Sequence, residues 1–102
     1  MTLFNDEGYL LNPLSWTPLL ATQLAHTEQL ELTELHWAIL NFTREFYLKN
    51  QTMPKIRELI THLRENPNYN YLNSAAIHKL FPYGPALQIA KIAGLPKPAK
   101  CL

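Results

Sequence analysis

The 102-residue sequence holds a single cysteine and three glycines, and its formal net charge is only +1. One cysteine excludes an internal disulfide framework and is typical of a protein from a reducing compartment. A net charge near zero predicts no strong electrostatic attraction to nucleic acid or anionic lipid. The sequence also has no glycine-rich phosphate loop and no Ser-His-Asp pattern, so it points to neither of these catalytic classes.

Long apolar runs are absent as well, and none approaches the roughly 20 residues that a membrane helix needs. The N-terminus carries Asp6 and Glu7 where a signal peptide would carry basic residues. We therefore expect a soluble, cytoplasmic protein that does not bind membranes. With 47% apolar and 17% charged residues, the chain can bury a core, and its length predicts one domain.

Helix signals recur along the chain, because apolar residues at helical spacing follow capping residues and prolines. The predicted helices run from Pro18 to about Thr27 or Glu28, from about Glu34 to Lys49, from Pro54 to about Glu65, from a cap at Asn73 or Ser74 to Leu80, and from Pro85 to Ala93. The turn at Gly8 could add a small N-terminal β-hairpin. The predicted fold is mainly all-α, a compact bundle of about five helices.

The last nine residues, 94–102, are predicted to form a mobile C-terminal arm on a helical domain of residues 1–93. Gly94 can close the last helix in the left-handed conformation, and Pro96 and Pro98 favour an extended chain beyond it. From Gly94 to Cys101 the arm reaches roughly 20–25 Å, at about 3.1–3.5 Å per residue. Such an arm could carry its thiol to another protein. A frayed terminus with an incidental cysteine remains the alternative.

The surroundings of the thiol predict a carrier rather than an activated nucleophile. Lys97 and Lys100 favour a thiolate, whereas the terminal carboxylate of Leu102 disfavours it. Because these effects oppose each other, Cys101 is expected to be charged and discharged by partner proteins. The two lysines could also attract anionic partners, or simply keep the arm soluble.

Other candidate sites carry weaker signals. The four histidines fall on four different predicted helices, without metal-ligand spacing or a second cysteine, so neither a metal nor a cofactor is predicted. The aromatic residues at helical spacing are predicted to be core: Trp37, Phe42, Phe46, Tyr47 and Phe81. The third and fourth helices could resemble a helix-turn-helix, but their connection is long and residues 74–80 contain one lysine and no arginine, which argues against DNA binding.

Two C-terminal blocks form a specific pattern: Phe81-Pro82-Tyr83-Gly84-Pro85-Ala86, and Ile92 to Pro98 followed by the penultimate Cys101. This pattern resembles the DsrC/TusE sulfur-carrier family. Less specific similarity lies in residues 6–10, 31–37 and 53–57. The resemblance implies a compact helical fold with a small N-terminal hairpin and a mobile arm, and it implies that Cys101 carries sulfur as a persulfide.

The family's DsrC branch, which partners dissimilatory sulfite reductase, has a second cysteine where this chain has Ala90. The single cysteine is similar to the TusE branch instead. That likeness implies a sulfurtransferase that receives sulfur from a TusBCD-type complex. It would pass the sulfur to a tRNA 2-thiouridine synthase for wobble-uridine thiolation, with tRNA contacted mainly through that enzyme.

On this interpretation the arm contacts the partners, and the body docks them near Tyr83 and Gly84, at the start of the fifth helix. The expected arm contacts are Gly94, Leu95, Pro96, Lys97, Pro98 and Lys100. A monomer is expected. Two alternatives stay open: a DsrC-like partner or regulator of sulfite reductase or sulfur oxidation, and a helix-turn-helix-like binding module with an incidental thiol.

Overall fold

A computed structural model describes residues 3–98 of the chain. Within that range the backbone forms five α-helices and two short 3₁₀ turns, Pro13–Ser15 and Pro67–Tyr69. The helices are α1 (Pro18–Thr27), α2 (Glu34–Asn50), α3 (Ile56–Leu63), α4 (Ser74–Leu80) and α5 (Pro85–Ile92). The mainly all-α prediction is therefore confirmed. Across the same residues, none of the helices combines the length and apolar content needed to cross a membrane.

Local capping decides where the helices begin. The Thr17 and Thr33 side chains accept hydrogen bonds from the first turns of α1 and α2, as predicted for N-caps. The predicted start of α3 at Pro54 is wrong by two residues. Lys55 is extended, and its backbone N–H donates to the Glu58 carboxylate at 3.0 Å, so α3 begins only at Ile56.

The core lies where α5 packs against α1, α2 and α4. Its fully buried side chains come from several elements: Ile39, Leu40, Leu59, Leu72, Ile77, Phe81, Ile89, Ile92 and Leu95. Ala90 and Ala93 are also fully buried and let the backbone of α5 approach its neighbours closely. Each large apolar side chain contributes about 1.5–3 kcal/mol by leaving water, so α5 is held by burial on several sides.

The expected N-terminal β-hairpin is not formed in the described residues. A single isolated antiparallel bridge joins Phe4 to Leu10, with no strand on either side. The Asn5 side chain explains this, because its Oδ1 accepts hydrogen bonds from the backbone N–H groups of Glu7 and Tyr9, each at 3.0 Å. A side chain that occupies these donors competes with a strand ladder, so the segment closes as a compact loop.

The predicted aromatic core is only partly confirmed. Phe81 is fully buried, but Phe42 and Phe46 line an open groove of about 410 Å³ that α3 residues also line. There Phe42 stacks on His62 with ring centroids 4.1 Å apart. The apolar side chains of α2 are spread around most of its circumference. The helices that chiefly pack against it are α3 and α5, so part of its aromatic surface stays open.

His36 is a buried structural histidine that ties α2 to the end of α4. Its Nδ1 accepts from the Thr33 backbone N–H at 3.1 Å, and its Nε2 lies 3.0 Å from the Leu80 carbonyl oxygen. Since a carbonyl can only accept, Nε2 carries the proton. His26, His62 and His78 are exposed and lie on three other helices.

Candidate functional site

The predicted sulfur-carrying residue Cys101, together with Lys100, lies outside the described residues 3–98. The structure therefore bears on the segment that leads to them, residues 94–98, and on the groups that hold this segment. We call Gly94 and Leu95 the arm root, and residues 96–98 the described arm.

The arm root closes α5 with a Schellman motif. The Gly94 N–H donates to the Lys91 carbonyl at 3.2 Å, and the Leu95 N–H donates to the Ala90 carbonyl at 2.9 Å. Gly94 has φ +71°, so the predicted left-handed helix end is confirmed. A Cβ at this position would lie 2.5 Å from Cδ1 of Trp16, closer than packed atoms tolerate. Glycine is therefore required at position 94 by backbone conformation and by space.

Burial changes which residues of the arm can meet a partner. Leu95 is fully buried and joins the core, and Gly94 is buried beside it. Pro96 and Lys97 are exposed and Pro98 is half-buried. The chain therefore reaches the surface at Pro96, and the predicted partner contacts at Gly94 and Leu95 lie beneath it.

Trp16 and Arg44 hold the last carbonyls of α5. The Trp16 indole Nε1 donates to the Ile92 carbonyl at 2.9 Å, and Arg44 Nη1 donates to the Ala93 carbonyl at 2.8 Å. Arg44 Nη2 also donates to the Pro13 carbonyl at 3.1 Å. Carbonyls at a helix end lack partners within the helix, so these bonds satisfy them and fix the direction in which the chain leaves.

The Arg44 guanidinium also stacks on the Trp16 ring, which lies beside the arm root. Its Cζ is 4.3 Å from the centre of that ring. Burial lowers the pKa of Arg44 from its ordinary value, but arginine stays charged at physiological pH. A positive charge at this place also suits the negative end of the α5 dipole. No pattern in the sequence marked Arg44 or Trp16 as part of the site.

A second contact fixes the described arm two residues beyond the root. Lys97 Nζ lies 2.6 Å from Oε2 of Glu7, and both side chains are about half exposed. Glu7 belongs to the N-terminal loop, the segment from Phe4 to Leu10 that the isolated bridge closes. Its neighbour Gly8 packs against the side chain of Lys91 on α5. No motif in the sequence links Glu7 to Lys97, because 90 positions separate them.

The predicted docking residues lie at the opposite end of α5. Tyr83 is 67% exposed, and Gly84 is the N-cap of α5 with φ +110°. The Tyr83 backbone N–H donates to Oε1 of the buried Gln88 at 3.0 Å, which orders the entry to the helix. The eight residues of α5 span about 12 Å, so this surface and the arm root are separated by the length of one short helix.

Within residues 3–98, no three His, Cys, Asp or Glu side chains lie close enough together to bind a metal ion. Ala90, which stands where the DsrC branch is expected to carry a second cysteine, is fully buried in the core. Its methyl group is part of the apolar core that several helices share.

Comparison with known proteins gives one consistent result. The profile of the family described as "DsrC like protein" matches residues 2–102. The chain is 45% identical over 98 residues to Sulfurtransferase TusE of Salmonella choleraesuis, which covers 96% of this chain and 90% of the relative. It is also 45% identical to the Sulfurtransferase TusE homolog of Haemophilus influenzae, with the same coverage.

Two solved structures share the fold. The oxidized γ-subunit of the dissimilatory sulfite reductase (DsrC) from Archaeoglobus fulgidus superposes with a TM-score of 0.87 at 35% identity, over 97% of this chain and 90% of that one. Allochromatium vinosum DsrC gives a TM-score of 0.82 at 43% identity, over 97% and 88% of the two chains. With a family match over nearly its whole length and relatives at this identity, the chain belongs to the family of DsrC-like proteins.

Proposed function

We propose that this protein is a sulfur-relay carrier that accepts sulfur as a persulfide on Cys101 and donates it to a partner protein. The observation that carries the proposal is the fixed arm root, because a buried Leu95 and a Schellman motif aim the chain outward just ahead of its only cysteine. The relatives named sulfurtransferase support the same chemistry across nearly the whole chain.

The transfer proceeds by thiol–persulfide exchange and needs no external oxidant. The Cys101 thiolate attacks the outer sulfur of a donor persulfide, a new S–S bond forms at Cys101, and the donor leaves as a thiolate. In the second step an acceptor thiolate attacks the outer sulfur on Cys101. That S–S bond breaks, and Cys101 returns as a thiolate while the acceptor holds the persulfide.

The single cysteine makes discharge depend on the partner. A second thiol on α5 would allow an intramolecular disulfide to expel the sulfur, but Ala90 offers none. We therefore propose a TusBCD-type complex as donor and a tRNA 2-thiouridine synthase as acceptor. Because the chain's formal net charge is +1, tRNA is contacted mainly through the synthase.

The docking surface is proposed at the N-terminal end of α5. Tyr83 is exposed there, and tyrosine is enriched in protein interfaces because it offers a large apolar face and a polar tip. Gly84 leaves open space beside it, since apart from its two chain neighbours no residue among 3–98 has an atom within 4 Å of where a Cβ would stand. A partner seated at this end of α5 would still have the arm root within reach.

Mass spectrometry tests the carrier role directly. The protein is incubated with a cysteine desulfurase, its substrate cysteine and the candidate donor complex, and we expect one added sulfur that a reducing thiol removes. Since the chain has one cysteine, Cys101→Ser is a complete control. If the serine variant gained the same mass and supported tRNA thiolation in the reconstituted relay, the proposal would be wrong.

The second candidate is a DsrC-like partner of sulfite reductase, which the fold shared with the Archaeoglobus fulgidus subunit favours. A pull-down separates the two candidates. Under the relay proposal, the Cys101→Ser variant no longer forms a disulfide with the tRNA 2-thiouridine synthase but still docks to it non-covalently. Stable association with a sulfite reductase, and none with the relay proteins, would favour the second candidate instead.

A helix-turn-helix-like module with an incidental thiol has less support. The connection from α3 to α4 contains the 3₁₀ turn Pro67–Tyr69 and is longer than the usual three or four residues. Such a module predicts that tRNA or DNA binds the isolated protein with a steep salt dependence. The relay proposal predicts no such binding.

A further inference from the structure

We propose that Glu7 is a positioning residue for sulfur transfer: by pairing with Lys97 it moves the pivot of the arm outward and directs Cys101 toward the acceptor. This inference rests on the proposed carrier function. The contact that carries it joins Lys97 Nζ to Glu7 Oε2 at 2.6 Å, across a sequence separation of 90 residues.

Glu7 can serve as a fixed point because its loop is held on both sides. Asn5 closes the loop, since its N–H donates to the Tyr9 carbonyl at 2.8 Å and its side chain accepts from the backbone of Glu7 and Tyr9. Tyr9 and Leu10 are then buried in the domain. A charge on this loop is therefore placed by the body of the protein.

The loop is also seated against the helix from which the arm departs. Gly8 has φ +89°, and a Cβ there would lie 3.0 Å from Cε of Lys91 on α5. The Lys91 ammonium lies 5.8 Å from the centre of the Tyr9 ring. Glu7 and the arm root are thus both positioned by α5. The Glu7–Lys97 pair therefore holds the described arm in a fixed place relative to the end of α5, where the arm begins.

The pair changes how far the thiol can travel. With Leu95 as the last fixed residue, six chain steps lead to Cys101, which allows about 20 Å at about 3.3 Å per residue. With Lys97 held as well, four steps remain and the limit falls to about 13 Å. A shorter free chain can reach a smaller volume, so less ordering is needed when the thiol enters a partner's site.

The pair is exposed, so its effect is expected to be modest. Exposed ion pairs contribute about 0.2–1 kcal/mol, which corresponds to a rate effect of about 1.4- to fivefold. Removing it should therefore slow transfer to a protein acceptor by about 1.4- to fivefold, chiefly through a higher KM for the acceptor. Transfer from Cys101 to a small thiol should not change, because a small molecule needs no directed arm.

The test compares Glu7→Gln with Asp6→Asn, which removes the same charge one residue away. Asp6 is exposed and forms no ion pair with any residue in the described range 3–98. The single variants Glu7→Lys and Lys97→Glu, and the double variant that combines them, complete a charge-swap cycle. We expect Glu7→Gln and both single swaps to slow acceptor loading, Asp6→Asn to leave it unchanged, and the double swap to restore it.

A second readout does not depend on sulfur transfer. A nitroxide attached to Cys101, the only cysteine, reports the motion of the arm by electron paramagnetic resonance. We expect a more mobile spectrum in Glu7→Gln than in wild type or Asp6→Asn, and the same increase in wild type at high salt. If wild type carried no sulfur but showed this spectral difference, the carrier function would fail while the positioning of the arm stood.

Two results would overturn the inference. One is an unchanged nitroxide spectrum together with wild-type acceptor kinetics in Glu7→Gln. The other is faster acceptor loading in Glu7→Gln, because it would show that the pair restrains the arm instead of directing it.

Discussion

Replacing Gly94 by alanine should be among the most damaging single-methyl changes in the chain. Gly94 has φ +71°, and a Cβ there would stand 2.5 Å from Cδ1 and 2.9 Å from Cγ of Trp16. The indole cannot move aside without loss, because its Nε1 donates to the Ile92 carbonyl and its ring lies under the Arg44 guanidinium. The change therefore strains the backbone and disturbs the contacts that hold the arm root.

The two costs can be separated by a second left-handed position. Gln51 ends α2 with φ +61° and is exposed, so the difference between Gln51→Ala and Gln51→Gly measures the cost of a Cβ in this conformation alone. That difference should be about 1 kcal/mol. At Gly94 the forced contact with Trp16 adds about 1–3 kcal/mol, the usual cost of overpacking. Gly94→Ala should therefore lower the free energy of unfolding by about 2–4 kcal/mol.

Urea unfolding followed by circular dichroism measures both differences on the same scale. Mass spectrometry of Cys101 alkylation checks that the thiol stays reactive, and transfer to the protein acceptor should be slower than wild type because the arm leaves from a displaced root. If the alanine–glycine difference at position 94 equalled that at position 51, within about 0.5 kcal/mol, then Trp16 does not pack tightly on the root. The account of how the arm is held would then be wrong.

Two further predictions concern the same segment. Arg44→Met keeps much of the side-chain volume but loses the hydrogen bonds to the Ala93 and Pro13 carbonyls, so it should lower the free energy of unfolding by about 1–3 kcal/mol. The control is Arg57→Met, which replaces an exposed arginine on α3 and should change the free energy of unfolding by less than about 0.5 kcal/mol. Deleting Ala99 and Lys100 shortens the reach of Cys101 by about 7 Å while keeping Lys97 in place, so transfer to a protein acceptor should slow by at least about tenfold, or about 1.4 kcal/mol, with unchanged small-molecule alkylation. Wild-type transfer by the shortened protein would show that arm length has no role.

The sequence by itself predicted the elements whose causes are local. Threonine caps before an apolar run, prolines at first helical positions and the glycine after α5 each act within one turn of chain, so the ends of α1, the start of α2 and the left-handed Gly94 followed from neighbouring residues. The family also followed from sequence, because its C-terminal blocks and penultimate cysteine are contiguous. The predicted start of α3 at Pro54 was wrong because the Glu58 carboxylate accepts a hydrogen bond from the Lys55 N–H. Lys55 is therefore the N-cap, and the helix begins after it.

Only the tertiary structure decided how the arm is held. The burial of Leu95, the hydrogen bond from Trp16 to Ile92 and the pairing of Glu7 with Lys97 depend on side chains that lie up to 90 positions apart. Nothing in local periodicity, capping or spacing reports which distant groups will meet. These contacts exist because the helices close around one core and bring the N-terminal loop, α2 and the end of α5 to the same place.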